Sequence, residues 1–435
     1  MNTYFHSVRL DRDKCKGCTN CIKHCPTEAI RVRNGKAQII AERCIDCGEC
    51  IRICPYHAKI AYTDPFSDIG GFKYKIALPA PTLYGQFKNL SSIGRVVMGL
   101  RLMGFDDVYE VARGADIVSC AIRERLASKD NLPVISSACP AIVRLIQVRF
   151  PNLISNIIDL KSPMEVAAIA AKREFAQKHG VKESDIGAFF ITPCPAKVTS
   201  IKNSYGIEKS HVDGAFSVID IYGLLASQLK KPGVVTIESP TASVYGVGWA
   251  NSGGEAIAAG IQNYLAVDGI VNVIKVLEEI ENMKLTDLQF FEGLACPGGC
   301  VGGPLTFENP FVARARIRAL SSKIKNAEPS CEYARQYIDD GSVLFSQAIE
   351  ARPVMKIDGD MLTAMRKLEL IEEITARLPG LDCGSCGSPS CRAMAEDIVR
   401  GDAKEIDCIF KLRDKVTSLA EQMVELIGRD KKEKV

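Results

Sequence analysis

Residues 290–304 read Phe290-Phe291-Glu292-Gly293-Leu294-Ala295-Cys296-Pro297-Gly298-Gly299-Cys300-Val301-Gly302-Gly303-Pro304. Two cysteines stand four apart among five glycines. Glycine lets backbone come close to a bulky ligand and adopt positive φ. Thiolates in such a setting are soft ligands suited to iron–sulfur chemistry. Two sulfurs alone do not hold a cubane cluster, so partners must come from elsewhere in the chain.

Two earlier cysteines fit that need. Cys139 ends the run Pro133-Val134-Ile135-Ser136-Ser137-Ala138 and is followed by Pro140. Cys194 ends Ala188-Phe189-Phe190-Ile191-Thr192-Pro193 and is followed by Pro195-Ala196-Lys197. Each run reads as a short buried strand, and each following proline suits the first position of a helix. Three strand ends that each deliver a thiolate would build a site at the carboxyl edge of an open α/β sheet. Four buried structural cysteines are the alternative.

At 435 residues the chain should hold about three domains. Hydrophobic content of 47% is ample for a core, and a net charge of +3 points to neither nucleic acid nor a membrane surface. The opening residues form no secretory h-region, and no apolar run is long enough to span a bilayer. A cytoplasmic location is expected. Eighteen closely spaced cysteines are then read as metal ligands rather than a disulfide framework.

Residues 1–66 form a ferredoxin-like domain. Cys15, Cys18, Cys21 and Cys25-Pro26 make C-x2-C-x2-C-x3-C-P, and Cys44, Cys47, Cys50 and Cys54-Pro55 repeat it. This is a two-cluster [4Fe–4S] signature in which each fourth cysteine crosses over. One cluster takes Cys15, Cys18, Cys21 and Cys54; the other takes Cys44, Cys47, Cys50 and Cys25. Near the end, Cys383, Cys386 and Cys391, completed by Cys408, suit a further [4Fe–4S] cluster. Zinc also accepts four thiolates and stays open as an alternative at both places. Cys331 has no partner spacing and reads as an ordinary thiol. Leu412, Val416, Leu419, Met423 and Leu426 are spaced 4, 3, 4, 3. That describes a short coiled-coil seam, for a homodimer or a docked partner, or else an amphipathic helix packed on its own domain.

The segments around Cys139, Cys194 and Cys296/Cys300 resemble the three cluster-binding motifs of [FeFe]-hydrogenases. The resemblance spans residues 75–305, and the whole chain is similar to the sensory, non-prototypical branch of that family. The resemblance implies that Cys139, Cys194, Cys296 and Cys300 hold a [4Fe–4S] cluster. Cys300 would bridge it to a two-iron subsite carrying CO, cyanide and a dithiolate, together the H-cluster. It implies that Lys197 hydrogen-bonds a cyanide, that the backbone at Pro79 lies beside the subsite, and that Ser252 and Gly253 belong to a glycine-rich turn there. The motif at 378–408 resembles a small iron–sulfur domain of membrane electron-transport and corrinoid proteins. The implied partners are H2, a redox protein such as ferredoxin, the hydrogenase maturation enzymes and a signalling protein.

Several positions depart from the catalytic pattern. A relay cysteine is replaced by Ala138, and two relay glutamates by Ile122 and Arg125. Ser162 matches a relay serine. Leu294 and Thr192 replace methionines, and Ser200 replaces a glutamate. Anchoring is retained while proton delivery is rewritten, which fits a protein that binds or slowly converts H2 as a hydrogen or redox sensor. The rivals are an ordinary hydrogenase with another proton route, through Cys120 or Glu124, and an iron–sulfur protein lacking the two-iron subsite.

The expected architecture is an α/β multi-domain iron–sulfur protein. It comprises the ferredoxin-like domain at 1–66, a two-lobed hydrogenase domain at 67–355, a C-terminal [4Fe–4S] domain at 356–411 and a helical tail at 412–435. Expected elements include a strand at 74–78 and helices at 106–127, 141–150 and 163–179. The last is opened by a Ser162…Glu165 capping box and stopped at Gly180. A helix at 255–265, a strand at 271–276 and a helix at 277–283 lead into the central stretch.

Overall fold

The computed structural model describes residues 5–127, 132–231, 242–325, 328–352, 354 and 357–432. The chain divides into a larger unit of Met1–Arg9, Ile45–Gly48 and Ala61–Pro353, and a smaller one of Leu10–Cys44, Glu49–Ile60 and Val354–Val435. The boundary expected at 355/356 falls outside the described residues.

The larger unit holds two parallel sheets. One has the order Asp107–Val108, Tyr74–Pro79, Ile186–Thr192, Gly214–Ser217; the other has Tyr264–Asp268, Phe290–Leu294, Val134–Ile135. The strand Ile186–Thr192 is buried at every residue. A strand covered on both faces by helices needs such an unbroken apolar run. Its register sets Ile76 opposite Ala188 and Leu78 opposite Phe190. Val111–Leu126 and Pro163–His179 pack closely; a Cβ on Gly114 would lie 2.3 Å from the Pro163 carbonyl oxygen, so a glycine is needed at the crossing.

Three local expectations are corrected. The helix expected at 255–265 stops at Ala258, and Leu265 lies in a strand. The strand expected at 271–276 is part of the helix Ile270–Glu281. Its buried residues Ile270, Val273, Leu277 and Ile280 are spaced 3, 4, 3, so the helical period outweighs the β-branched composition. Ser162 does cap Pro163–His179, but its side chain makes no capping bond. Glu165 turns inward instead, accepting from His211 N–H at 2.9 Å and from Ser210 Oγ.

One disulfide, Cys120–Cys331, joins Val111–Leu126 to Cys331–Asp339. Cys331 is therefore not an ordinary thiol, because the fold brings a cysteine 211 residues away to its side.

In the smaller unit, Ile30–Arg33 and Lys36–Ile39 form an antiparallel hairpin. Its turn residues Asn34 and Gly35 both have positive φ, as a tight two-residue loop requires. The C-terminal segment packs directly on this hairpin. Val32 N–H donates to Gly387 O at 2.8 Å. Asp397 Oδ2 accepts from Arg31 Nε and from Arg33 Nη2, each at 2.6 Å, and all three groups are largely buried. A Cβ on Gly387 would lie 1.9 Å from Val32 O, so only glycine permits this approach. The helix Ile409–Lys432 carries the heptad seam outward: Leu412, Val416, Leu419, Met423 and Leu426 are 47 to 63% exposed. The expectation that the seam packs on its own domain is therefore not met.

Candidate metal centre

Each site cysteine is delivered by a strand end. Cys139 follows Val134–Ile135 and is the N-cap of Pro140–Arg149; Cys194 follows Ile186–Thr192 and is the N-cap of Pro195–Lys202. Cys296 and Cys300 follow Phe290–Leu294. A helix N-terminus favours a thiolate over a thiol. Burial works against that, pushing the Cys194 and Cys300 thiols up while the Lys197 ammonium draws both down. Cys300 also feels the charges of Cys194, Cys139 and Cys296, so the four sulfurs face one another. The loop closes on itself through glycine: a Cβ on Gly302 would lie 2.1 Å from Pro297 O. Four convergent thiols in a collapsed glycine loop, countered by one buried lysine, fit a [4Fe–4S] cluster.

A cavity of about 60 Å³ opens beside Cys300, lined among others by Pro81, Ala138, Lys197, Leu294, Glu255 and Glu292. Lys197 Nζ lies 3.2 Å from Ala138 O, and its charge also acts on the Glu255 carboxyl across a cavity whose other walls are mainly apolar. The remaining expected residues fall around the cavity rather than on it. Pro79 ends its strand, and Ala80, Pro81 and Thr82 do the lining. Ser162 stands one residue behind Pro163 and Met164, which line it. Gly253 N–H donates to Glu292 Oε1 at 3.0 Å, and Ser252 N–H to Gly298 O at 3.2 Å. A compact anionic group bonded to Cys300 would meet the Lys197 cation, the Ala138 methyl and a mainly apolar wall, with Glu255 and Glu292 pushed by burial toward their neutral forms, so the cavity also fits the two-iron group that the resemblance implies.

The expected departures have structural counterparts. Ile122 is fully buried in the core, and Arg125 Nε pairs with Asp159 Oδ1 at 2.8 Å. The alternative routes through Cys120 and Glu124 are not supported: Cys120 is disulfide-bonded and Glu124 pairs with Arg335 at 3.0 Å, and neither lines the cavity.

Sequence reasoning missed a buried carboxyl pair. Glu255 is pushed up by burial and by the nearby Glu292, and Glu292 by burial. Ser136 Oγ donates to Glu255 Oε2 at 2.6 Å and accepts from Ala138 N–H at 3.1 Å. Glu292 accepts from the N–H groups of Gly253 and Ala256. The available signal was a glutamate inside an otherwise apolar strand, Phe290–Leu294, every residue of which is buried.

In the smaller unit the Cys21 thiol is pushed up to about 11, mainly by burial and further by Cys18, Cys15 and Cys54. The first expected cluster set is thus brought together. Cys25, Cys44 and Cys50 lie in the same unit, while Cys47 lies on Ile45–Gly48 of the larger one. Cys383, Cys386, Cys391 and Cys408 all line one small cavity. Ser385 hydrogen-bonds Cys383 and holds its thiol below the usual range, while burial pushes Cys386 up.

The chain belongs to the iron-only hydrogenase family: residues 73–265 and 255–304 match the large subunit, C-terminal domain. Residues 7–55 match a 4Fe-4S dicluster domain and 378–410 an Fe–S cluster family. A periplasmic [Fe] hydrogenase large subunit of Nitratidesulfovibrio vulgaris is 27% identical over 371 residues, covering 68% of this chain and 86% of that protein. A Drosophila melanogaster protein described as a cytosolic Fe–S cluster assembly factor is 21% identical, covering 55% of this chain and 63% of that one. A solved [FeFe]-hydrogenase variant from Chlamydomonas reinhardtii shares the fold, with a TM-score of 0.52 at 16% identity over 67% of this chain and 97% of that one. Among the described residues no helix is long and apolar enough to cross a membrane.

Proposed function

We propose that the protein binds H2 and converts it slowly to protons and electrons, as a cytoplasmic hydrogen or redox sensor. The observation that carries this reading is that Lys197, Cys300 and Ala138 line one apolar cavity together with Glu255 and Glu292. Cys139, Cys194, Cys296 and Cys300 would hold a [4Fe–4S] cluster, with a two-iron group on Cys300. Once bound, that group supplies hydrogen binding and redox chemistry. The Lys197 ammonium supplies donors and a point charge for an anionic ligand. Ala138 offers neither donor nor acceptor, so no side chain there takes a proton. Glu255 and Glu292 crowd two carboxyls into one buried site, and such a pair retains a proton near neutral pH. Ser136 connects that pair to the Ala138 backbone. Ser162, Pro79, Ser252 and Gly253 stand behind the residues that form the walls.

The other twelve ligands would hold three further clusters, for about sixteen irons before the two-iron group is added. Because the C-terminal cysteines pack against the ferredoxin hairpin, these clusters would exchange electrons with a redox partner such as ferredoxin. The exposed seam from Leu412 to Leu426 would pair with a second copy. Val416→Asp with Met423→Asp should then lower the solution mass, and an unchanged mass rules pairing out.

The decisive test is the infrared spectrum of protein matured with the hydrogenase maturation enzymes, read beside H2 uptake. Bands from CO and cyanide with slow uptake are expected. Absence of those bands would favour the iron–sulfur protein without the subsite, the reading that the assembly-factor likeness supports. Fast uptake would favour an ordinary hydrogenase working through Glu255 and Glu292.

A further inference from the structure

A second cavity, of about 200 Å³, lies between the glycine turn 252–254 and the helix Pro310–Ser321. Arg314 and Arg318, one helical turn apart, both line it. Neither guanidinium has a hydrogen-bond or ion-pair partner among the described residues. Arg316 between them does not line it and is satisfied elsewhere, by Glu308 at 2.6 Å and Gly85 O at 3.2 Å. Among the described residues no carboxylate lines the cavity.

Two buried polar atoms on its walls are also unpartnered. Ser321 is 7% exposed, and its hydroxyl has no hydrogen-bond partner among the described residues. Asn251 Nδ2 donates to Gly248 O at 3.0 Å, and its buried Oδ1 has no partner among the described residues. A buried polar atom without a partner carries a full desolvation cost, and such atoms are rare in folded proteins. Here two of them share a cavity with two uncompensated positive charges. Val244, Ile257 and Ile317 give the wall an apolar part, beside Tyr245, Ser252 and two glycines.

We propose that this cavity binds a small organic oxyanion, a phosphate monoester or a carboxylate on an apolar body. Arg314 and Arg318 take the anionic head, since guanidinium pairs match phosphate and carboxylate geometry. The Ser321 hydroxyl donates to the same head, and Asn251 Oδ1 accepts from a protonated oxygen or a ligand hydroxyl. The apolar body lies against Val244, Ile257 and Ile317. The site does not depend on hydrogen chemistry and would exist in a chain that never received a two-iron group.

The test is isothermal titration calorimetry on the full, cluster-loaded chain at fixed ionic strength. The probes are phenyl phosphate, benzoate, inorganic phosphate and benzyl alcohol. Phenyl phosphate or benzoate should saturate one site, with benzyl alcohol at least about tenfold weaker, because charge-assisted bonds carry the affinity. Arg314→Gln and Arg318→Gln should each weaken binding about tenfold and Ser321→Ala about threefold, while Arg316→Gln leaves it unchanged. Iron content and visible absorption of every variant check that the fold is intact. Absence of saturation with both organic anions overturns the proposal, as does affinity unchanged in the Arg314 and Arg318 variants. Inorganic phosphate binding as tightly as phenyl phosphate overturns the organic part.

Discussion

Ser136 and Glu255 lie 119 residues apart in the chain and meet through a buried 2.6 Å hydrogen bond. The serine sits two residues before Ala138, and the glutamate, with Glu292, lines the cavity beside Cys300. A proton held on the carboxyl pair is therefore one hydroxyl away from the backbone behind Ala138. This relationship motivates the first three predictions.

Glu255→Gln keeps the shape and a hydrogen bond to Ser136 but cannot release a proton. H2 uptake should fall about 10²-fold or more, the scale of a lost acid–base group. The measurement compares variant and wild type at equal infrared cofactor content, in H2O and D2O. An unchanged rate and isotope effect would place the proton path elsewhere.

Ala138→Cys should raise turnover, but only partly. Ile122 is fully buried and Arg125 is engaged by Asp159, so the outward path behind Ala138 stays closed. Opening it with Ile122→Glu would bury an unpaired charge in the core and destabilise the fold. The single variant is therefore the informative one, and a rate equal to wild type would show that Ala138 does not limit turnover.

The carboxyl pair also ties stability to pH. Burial raises the Glu255 value in the folded chain from 4.5 to about 8. A raised acid contributes stability that is complete below 4.5 and is lost as pH climbs through the raised value. Denaturant midpoints of the cluster-loaded chain should fall between about pH 5 and 8, and Glu255→Gln should flatten that slope. A slope identical in the variant would contradict the assignment.

Asp397→Ala would strand Arg31 and Arg33 without their shared carboxylate. Breaking a buried pair from one side costs about 3–5 kcal/mol. Thermal unfolding should begin earlier in the smaller unit, with loss of iron from the cluster at Cys383, Cys386, Cys391 and Cys408. Retention of full iron content at the wild-type melting temperature would refute this.

Reduction of Cys120–Cys331 should lower stability by about 2–4 kcal/mol, the usual worth of a bridge closing a long loop. Cys331→Ser should show the same loss without reductant and no further loss with it. Equal melting temperatures for oxidised wild type and Cys331→Ser would show that the bridge does not stabilise the fold.

The cysteines at 15–54 and 383–408 were legible as candidate ligands because metal ligation imposes spacing along the chain, while Cys139 and Cys194 were legible because each ends a short apolar run before a proline. The strand before Cys194 was legible for a related reason, since a strand buried on both faces must be apolar throughout. The helix Ile270–Glu281 was misread because Val271, Val273 and Val276 suggested a strand; the buried positions 270, 273, 277 and 280 carried the true period. Cys120–Cys331 and Ser136–Glu255 were invisible because each joins residues more than a hundred positions apart, and nothing local marks such a meeting. Glu292 lay in plain view among apolar neighbours, but its role depends on Glu255, which only the fold brings near.

The bond from Val32 N–H to Gly387 O has a consequence for the birth of the protein. A ribosome makes the Ile30–Arg33 strand about three hundred and fifty residues before it reaches Gly387. Until then the ferredoxin hairpin leaves the ribosome with an open edge and with Arg31 and Arg33 lacking their carboxylate. An open strand edge invites pairing with other chains. The nascent ferredoxin module is thus exposed to wrong partners while the intervening residues are made, and a distant segment of the same chain is what closes it.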